Sequence, residues 1–403
     1  MLKGTTLIFM KSKIKSIQIK KYQLVLGVFF ILFACFCYWL NVYQLEGYQP
    51  LNASGLGYEK AKVIEVIENT LEEDKNTSSG YRGIQLLKLE IIEGEYQGEI
   101  IETTNYLTRT HNILASEGSE LIITIDKNNF GYHTSVYNYS QANTIYFMFA
   151  FFALLMILIG GRKGIRTLIG LMFSFGCIIF FMLPLIFHGY SPILIAILTA
   201  LCIALVSLVL LEGITKKMIV ALSGTAAGVI GAGIVFLFFS KILGVSGYNL
   251  EDAETLFMIH ANTGLQVREV LFAGVLIAAV GAVVDVAMSI ASTLHELHQH
   301  NPTLGAKELF KSGINVGQDL MGTMADTLIL AYVGGSFSTM LLYMAYAVNY
   351  NQLINLDGLI LEIAQALSGS IGIILTLPFV AFIGAQVFAK NKVLKLSKRK
   401  RCN

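Results

Sequence analysis

Polarity along this chain is organised on two length scales. Runs of about twenty apolar residues, the length a helix needs to cross a bilayer, occupy 24–43, 144–160, 165–187, 192–211, 217–240, 270–292, 320–346 and 369–389. Between the first two runs the period shortens. Residues 61–69, 84–92, 99–104, 119–125 and 132–137 are short segments rich in β-branched and aromatic side chains, and the turn-like clusters 74–80, 93–98 and 126–129 punctuate them. The pattern predicts a polytopic α-helical membrane protein of about eight transmembrane helices, with a small extracytoplasmic β-rich domain of the OB-like barrel kind between spans 1 and 2. The predicted divisions are a basic N-terminus (1–23), an anchor (24–43), the β-rich domain (44–143), a seven-span domain (144–389) and a basic tail (390–403).

Composition agrees with this division. A chain of 403 residues that is 55% hydrophobic, with a mean hydropathy of +0.64, is too apolar for a soluble protein of its size. The net charge of +2 conceals a segregation. Lys3 to Lys21, Arg162 to Arg166, Lys216 with Lys217, Lys307 with Lys311, and Lys390 to Arg401 fall on alternate inter-span segments, whereas 44–143 holds fifteen acidic and seven basic side chains. The positive-inside rule then places both termini in the cytoplasm and the β-rich domain outside. The basic ends read as membrane-surface and topology signals, with no nucleic-acid patch. Cys35, Cys37, Cys177 and Cys202 sit inside predicted spans and Cys402 in the tail, so no disulfide framework is expected.

Ionisable side chains inside apolar runs concentrate in one stretch. The run 270–292 carries Asp285, Ser289 and Ser292 at i, i+4 and i+7. Asn315, Asp319, Gly322 and Asp326 fall at i, i+4, i+7 and i+11, with Thr323 beside them. Each series makes one stripe on a helix. With the first helix ending near Ser292 and the second entering the bilayer near Leu320, Asp285 and Asp326 are expected at one depth and able to meet. A carboxylate at mid-helix depth costs about 2.5–3.5 kcal/mol, so such residues face a bundle interior or a wet cavity. Asp285, Asp319, Asp326, Asn315, Ser289 and Thr323 are therefore the expected ligands for a small solute or cation. The competing reading is that they only hold helices together.

Other motifs change little. His295, His298 and His300 lie close together but lack an HExxH pattern and neighbouring cysteines, so neither a metal nor another cofactor is expected. Walker, dinucleotide-binding and GxSxG patterns are absent, which argues against an ATP-driven pump or a serine hydrolase. Aspartates in successive spans suggest an intramembrane aspartyl hydrolase, but the GxGD element is missing, and no enzymatic activity is expected. Gly224 and Gly228 form a GxxxG, read as tight helix packing. Residues 241–269, with Glu251, Asp252 and Glu254, are read as a solvated loop rather than an acidic vestibule.

The run DVAMSIAST from Asp285 to Thr293, followed by VGQDLMGTM from Val316 to Met324 and TLILAY from Thr327 to Tyr332, resembles the YibE/F-like family of bacterial membrane proteins. The likeness extends to the layout of anchor, β-rich outer domain and multispan remainder. It implies residence in the bacterial cytoplasmic membrane. The family pattern carries Asn where this chain has Asp326, which makes that carboxylate the least demanding of the three. The functional expectation is a transporter or channel-like protein. The alternative is a noncatalytic scaffold or accessory subunit that binds an extracytoplasmic or membrane partner through its β-domain.

Overall fold

The computed structural model describes residues 27–42, 56–128, 131–250 and 252–389. The chain separates into two compact units, 47–158 and the remainder.

The first unit is built on five antiparallel strands: β1 (Leu56–Glu73), β2 (Tyr81–Glu93), β3 (Ile100–Leu107), β4 (Glu120–Asn128) and β5 (Gly131–Tyr139). Their order is β3-β2-β1-β4-β5. Alternation puts Ala61, Val63, Leu87, Leu89, Ile91, Leu121, Ile123 and Ile125 on one buried face, each no more than 3% exposed. Register shifts along β1, between Lys60 and Ala61, Val63 and Glu65, and Val66 and Glu68, bend the sheet. It curls into a half-barrel. The edge strands β3 and β5 do not pair by backbone; Thr103 Oγ1 instead donates to the Thr134 carbonyl at 2.8 Å. Inside the curl, the buried Gln85 exchanges two hydrogen bonds of 3.0 Å with the Ala115 backbone. Asn105 Nδ2 donates to Ile113 O at 2.7 Å, so buried amides pin the connection from β3 to β4.

The second unit is helical. α1 (Gly27–Val42) is short. α2 (Ala142–Cys177), whose residues up to Leu158 fall in the first unit, continues through a π turn (Ile178–Met182) into α3 (Leu183–Phe187). Then come α4 (Pro192–Glu212), α5 (Lys216–Leu243), α6 (Ala253–Thr263), α7 (Val267–His300), α8 (Ala306–Gly335), α9 (Phe337–Ala345), α10 (Tyr350–Leu353) and α11 (Asp357–Ala389). Among the described residues five helical stretches are long and apolar enough to cross a membrane, or six if α8 and α9, bent by 57°, are one span.

The expected count of eight differs for local reasons. α1 falls below spanning length as described. The runs 144–160 and 165–187 form a continuous stretch interrupted at Gly161, whose φ of 52° and ψ of −129° suit only glycine. The run 320–346 begins earlier than expected, at Ala306, and breaks after Gly334-Gly335. There Ser336 Oγ donates back to Tyr332 O at 3.2 Å, a pattern that bends helices.

α7 is the centre of the helical unit and packs against α4, α5, α8 and α11. Leu276, Ala279, Val283, Ala287, Ile290 and Leu294 have no exposed surface. α5 and α11 cross closely because their facing positions are small: a Cβ on Gly224 would lie 1.9 Å from Val380 Cγ2, and one on Gly372 would lie 2.6 Å from Ala232 Cβ. α1 joins through an aromatic cluster in which the rings of Phe30 and Phe33 lie 5.3 and 5.1 Å from Phe173. It also supplies a polar contact. Pro184 has no N–H to give the Phe180 carbonyl one turn back, and Asn41 Nδ2 donates to it at 3.0 Å.

Candidate functional site

α7 and α8 run antiparallel, and glycine contacts fix their relative depth. Leu294 on α7 lies 3.2 Å from the place a Cβ on Gly313 of α8 would take, and Ala279 and Leu328 meet at Gly369 of α11. Equal numbers of residues separate these levels on both helices, so Asp285 is level with Gly322. Asp319 and Asp326 lie three and four residues to either side. At 1.5 Å of rise per residue, all three carboxylates fall within about 6 Å of one depth.

Asp285 and Asp326, expected at one depth, stand four residues, or about 6 Å of rise, apart. α7 runs on to His300 instead of ending near Ser292, and α8 starts at Ala306, so Asp285 sits between the levels of Asp319 and Asp326. Among the described residues none of the three accepts a hydrogen bond or forms an ion pair.

The helices bury one side and leave the other open. On α7 the buried Val283, Val286, Ala287 and Ile290 stand opposite an exposed series of Gly274, Ala278, Gly281, Asp285 and Ser289. On α8, Gly313 and Gly317 press against α11, a Cβ on Gly317 falling 2.2 Å from Leu377 Cγ. Asn315, Gln318, Asp319, Gly322, Thr323 and Asp326 form the exposed series. All six residues expected as ligands are therefore exposed, on two packed helices. A Cβ at Gly281 or Gly322 would meet nothing within 4 Å, so the level of Asp285 opens onto free space.

Hydroxyl chemistry suits the same use. Thr323 Oγ1 donates to Leu320 O at 3.0 Å, and Thr327 Oγ1 donates to Thr323 O at 2.7 Å. Each proton is turned into the helix, which leaves oxygen lone pairs facing out. With the carboxylates and the Asn315 and Gln318 amides, this is an oxygen-rich surface able to replace part of a cation's hydration shell.

Several residues escape the sequence pattern. Gly274, Ala278 and Gly281 extend the α7 stripe but are not ionisable, so nothing marks them until the exposed face is seen. Glu362 on α11 lies with Tyr332 and Ser336 around a 130 Å³ cavity beside the break between α8 and α9. It falls outside the apolar run 369–389 because α11 begins a dozen residues earlier, at Asp357. His295 does not gather with His298 and His300: its ring packs 5.2 Å from Phe388 and its Nε2 pairs with Gln299. Among the described residues no three metal-ligating side chains cluster. The four described cysteines are free thiols.

Comparison with known proteins adds a family. No curated protein and no solved structure matches the chain. Residues 148–390, well over half of the chain, match the sequence model described as YibE/F-like protein. The match takes in most of α2 and every later helix, hence both polar stripes, and the chain belongs to the YibE/F-like protein family.

Proposed function

We propose that this chain is a multispan protein of the bacterial cytoplasmic membrane that moves a small cation or polar solute along the α7–α8 stripe. The observation that carries this reading is the placement of Asp285, Asp319 and Asp326: exposed, unpaired among the described residues and at nearly one depth on two packed helices. Facing hydrocarbon, three carboxylates would cost roughly 8–10 kcal/mol, so the stripe belongs beside water or a permeating solute. Counting α1, the helices on either side of Gly161, and α8 with α9 as single spans gives eight crossings. Both termini are then cytoplasmic and the β unit, a partly open OB-like barrel, is outside.

The test is flux of protons and of monovalent and divalent cations into proteoliposomes carrying the full chain. Asp285→Asn and Asp319→Asn are expected to abolish flux while expression and melting temperature stay near wild type. Asp326→Asn is expected to be milder. An amide replaces much of a carboxylate's interhelical hydrogen bonding, worth on the order of 0.6 kcal/mol, so helix glue alone would survive these changes. Full flux in both variants would end the carboxylate mechanism.

One observation favours a second reading, a scaffold. The exposed rings of Tyr58 and Tyr137 meet edge-on at 5.0 Å on the β unit, an amphipathic surface suited to a protein partner. Under that reading Tyr58→Ala with Tyr137→Ala abolishes a crosslinked complex in cells, while the aspartate variants leave it intact.

A further inference from the structure

The described residues between Lys241 and Glu269, expected as a solvated loop, form a 3-10 turn and α6, and several of them line an open cavity with α5 and α7. After α5 the chain turns through Gly244 in the left-handed region (φ 71°), and a single 3-10 turn, Gly247–Asn249, packs on the start of α7. The fit is close: a Cβ on Gly247 would lie 1.8 Å from the Val267 carbonyl oxygen. Asn249 Nδ2 donates to Asp357 Oδ2 at 2.9 Å, which ties the turn to α11, and Gln266 Nε2 donates to Gly189 O at 2.8 Å, which ties the start of α7 to the end of α3. Tyr248 stacks on Phe257 of α6 at 4.9 Å and 10°.

The cavity beneath has a volume of about 580 Å³, within the range of small-molecule sites. Its polar side carries Lys241, Arg268, Ser246 and Glu269; its apolar side includes Phe236 and Phe272. The acidic residues that suggested a vestibule, Asp252 and Glu254, do not line it. One Glu269 oxygen is occupied by Ser191 Oγ, which donates to it at 2.7 Å. Among the described residues Lys241 and Arg268 form no ion pair. α7 starts at this wall without a side-chain cap, because Gln266 is spent on Gly189. Its positive dipole end lies at the same wall, offset in part by Glu269 in the first turn.

Lys241 also complements the C-terminal dipole of α5, which by itself would account for a lysine there. That account leaves Arg268 and the apolar wall beside it unexplained. We propose that this cavity binds the phosphate ester of an anionic amphiphile, its charge held by Lys241 and Arg268 and its apolar part lying along Phe236 and Phe272. The Ser246 hydroxyl, whose oxygen accepts from Tyr248 N–H at 3.4 Å, has its own proton free for the ester. Leu237, another lining residue, is 45% exposed on the same flank as Phe238 and Ile242, where the cavity meets the outer apolar surface. The phosphate can come from a lipid headgroup or from a soluble phosphate ester. The inference does not rest on the transport reading, and its test measures binding, not flux.

The experiment is native mass spectrometry of the detergent-solubilised full chain, titrated with phosphatidylglycerol, phosphatidylcholine and glycerol phosphate. Each basic side chain near an anionic headgroup changes affinity roughly fivefold, so Lys241→Gln with Arg268→Gln is expected to lose about 25-fold for phosphatidylglycerol. Both side chains are exposed, so folding should be unaffected, and Lys241→Arg with Arg268→Lys should retain binding. A lipid source gives a phosphatidylglycerol preference that the double glutamine variant loses. A soluble source gives the same loss for glycerol phosphate, which then displaces the lipid. The proposal is overturned if wild type shows no preference for either phosphate ligand, if the double glutamine variant keeps it, or if the charge-retaining variant loses it.

Discussion

Gly228 gives the helical unit its sharpest packing test. A methyl group there would lie 1.8 Å from Thr376 Oγ1, 3.0 Å from Val283 Cγ1 and 3.1 Å from the Gly372 carbonyl oxygen. The first distance falls about 1.6 Å short of the 3.4 Å at which ordinary contact begins. Thr376 cannot easily yield, since it is fully buried and its hydroxyl donates to Gly372 O at 2.8 Å. α5 and α11 must therefore part. Overpacking of this kind costs about 1–3 kcal/mol, and a fixed backbone oxygen on one side puts Gly228→Ala near the top of that range. Alanine's helix propensity returns about 1 kcal/mol, leaving a net loss of about 2 kcal/mol. At roughly 2–4 °C per kcal/mol for a unit of this size, melting should fall by about 4–8 °C. Gly274→Ala is the matched control: nothing lies within 4 Å of its new methyl, so the propensity gain stands alone and melting should hold or rise. Adding Thr376→Ala to Gly228→Ala should recover part of the loss by removing the nearest obstacle. The assay is thermal unfolding of the full chain in detergent, followed by circular dichroism. If Gly228→Ala melts with wild type, or Gly274→Ala falls equally, the close-crossing argument is wrong.

Three further outcomes concern the outer parts of the fold and its topology. Asp74 caps the turn after β1: Asn76 N–H donates to its Oδ1 at 3.0 Å and Arg109 Nε to its Oδ2 at 3.4 Å, which together hold its carboxyl below the usual carboxylate range. Because the folded value lies below the unfolded one, this contribution is present above about pH 4 and fades as pH falls through the folded value. Hydrogen-exchange protection of the 74–81 turn should drop on acidification in wild type more than in Asp74→Asn, and equal pH responses would remove Asp74 from the account. On a cysteine-free background, Lys75→Cys should react with an impermeant thiol reagent added outside intact cells and Pro302→Cys should not; reaction at Pro302→Cys would invert the proposed topology. Residues 56–140 expressed alone should give a soluble monomer with a β-sheet spectrum, since the core around Leu87 and Ile123 closes within the unit; a random-coil spectrum would show that the half-barrel depends on the helices.

What the sequence made legible tracks how strictly each period is kept. All five strands were expected within a few residues, because Leu87, Leu89 and Ile91 on β2 and Leu121, Ile123 and Ile125 on β4 alternate without a slip. β1 came out short at both ends, since its register shifts move inward positions from one parity to the other and blur the period after Val63. Apolar runs located the long helices but not their ends. α7 and α8 carry polar turns beyond the apolar stretch, and α11 begins with Asp357 and Glu362, which lower hydropathy without breaking the helix. The polar stripes were visible because carboxylates at helical spacing stand out in apolar sequence. A shared depth was read for Asp285 and Asp326, but the place of Asp285 between Asp319 and Asp326 was not, because it depends on which glycines meet α11. The Lys241–Arg268 cavity had no signal: its two cations are 27 positions apart in a segment whose acidic residues dominate the eye, and the packing of the end of α5 on the start of α7 brings them to one wall.

The Asn41 amide has a consequence for how the chain is made. Its acceptor, the Phe180 carbonyl, lies 139 residues further along. At synthesis rates of about 5–20 residues per second, α1 waits roughly 7–28 s for that partner to emerge. One proton of the amide is occupied from the start, since Asn41 Nδ2 also donates to Cys37 O one turn back at 2.7 Å. The other is an open valence, satisfied only when the proline-bearing turn arrives. An unrelated helix swapped in for α1 would leave the Phe180 carbonyl without this donor, so a helix made early is completed late.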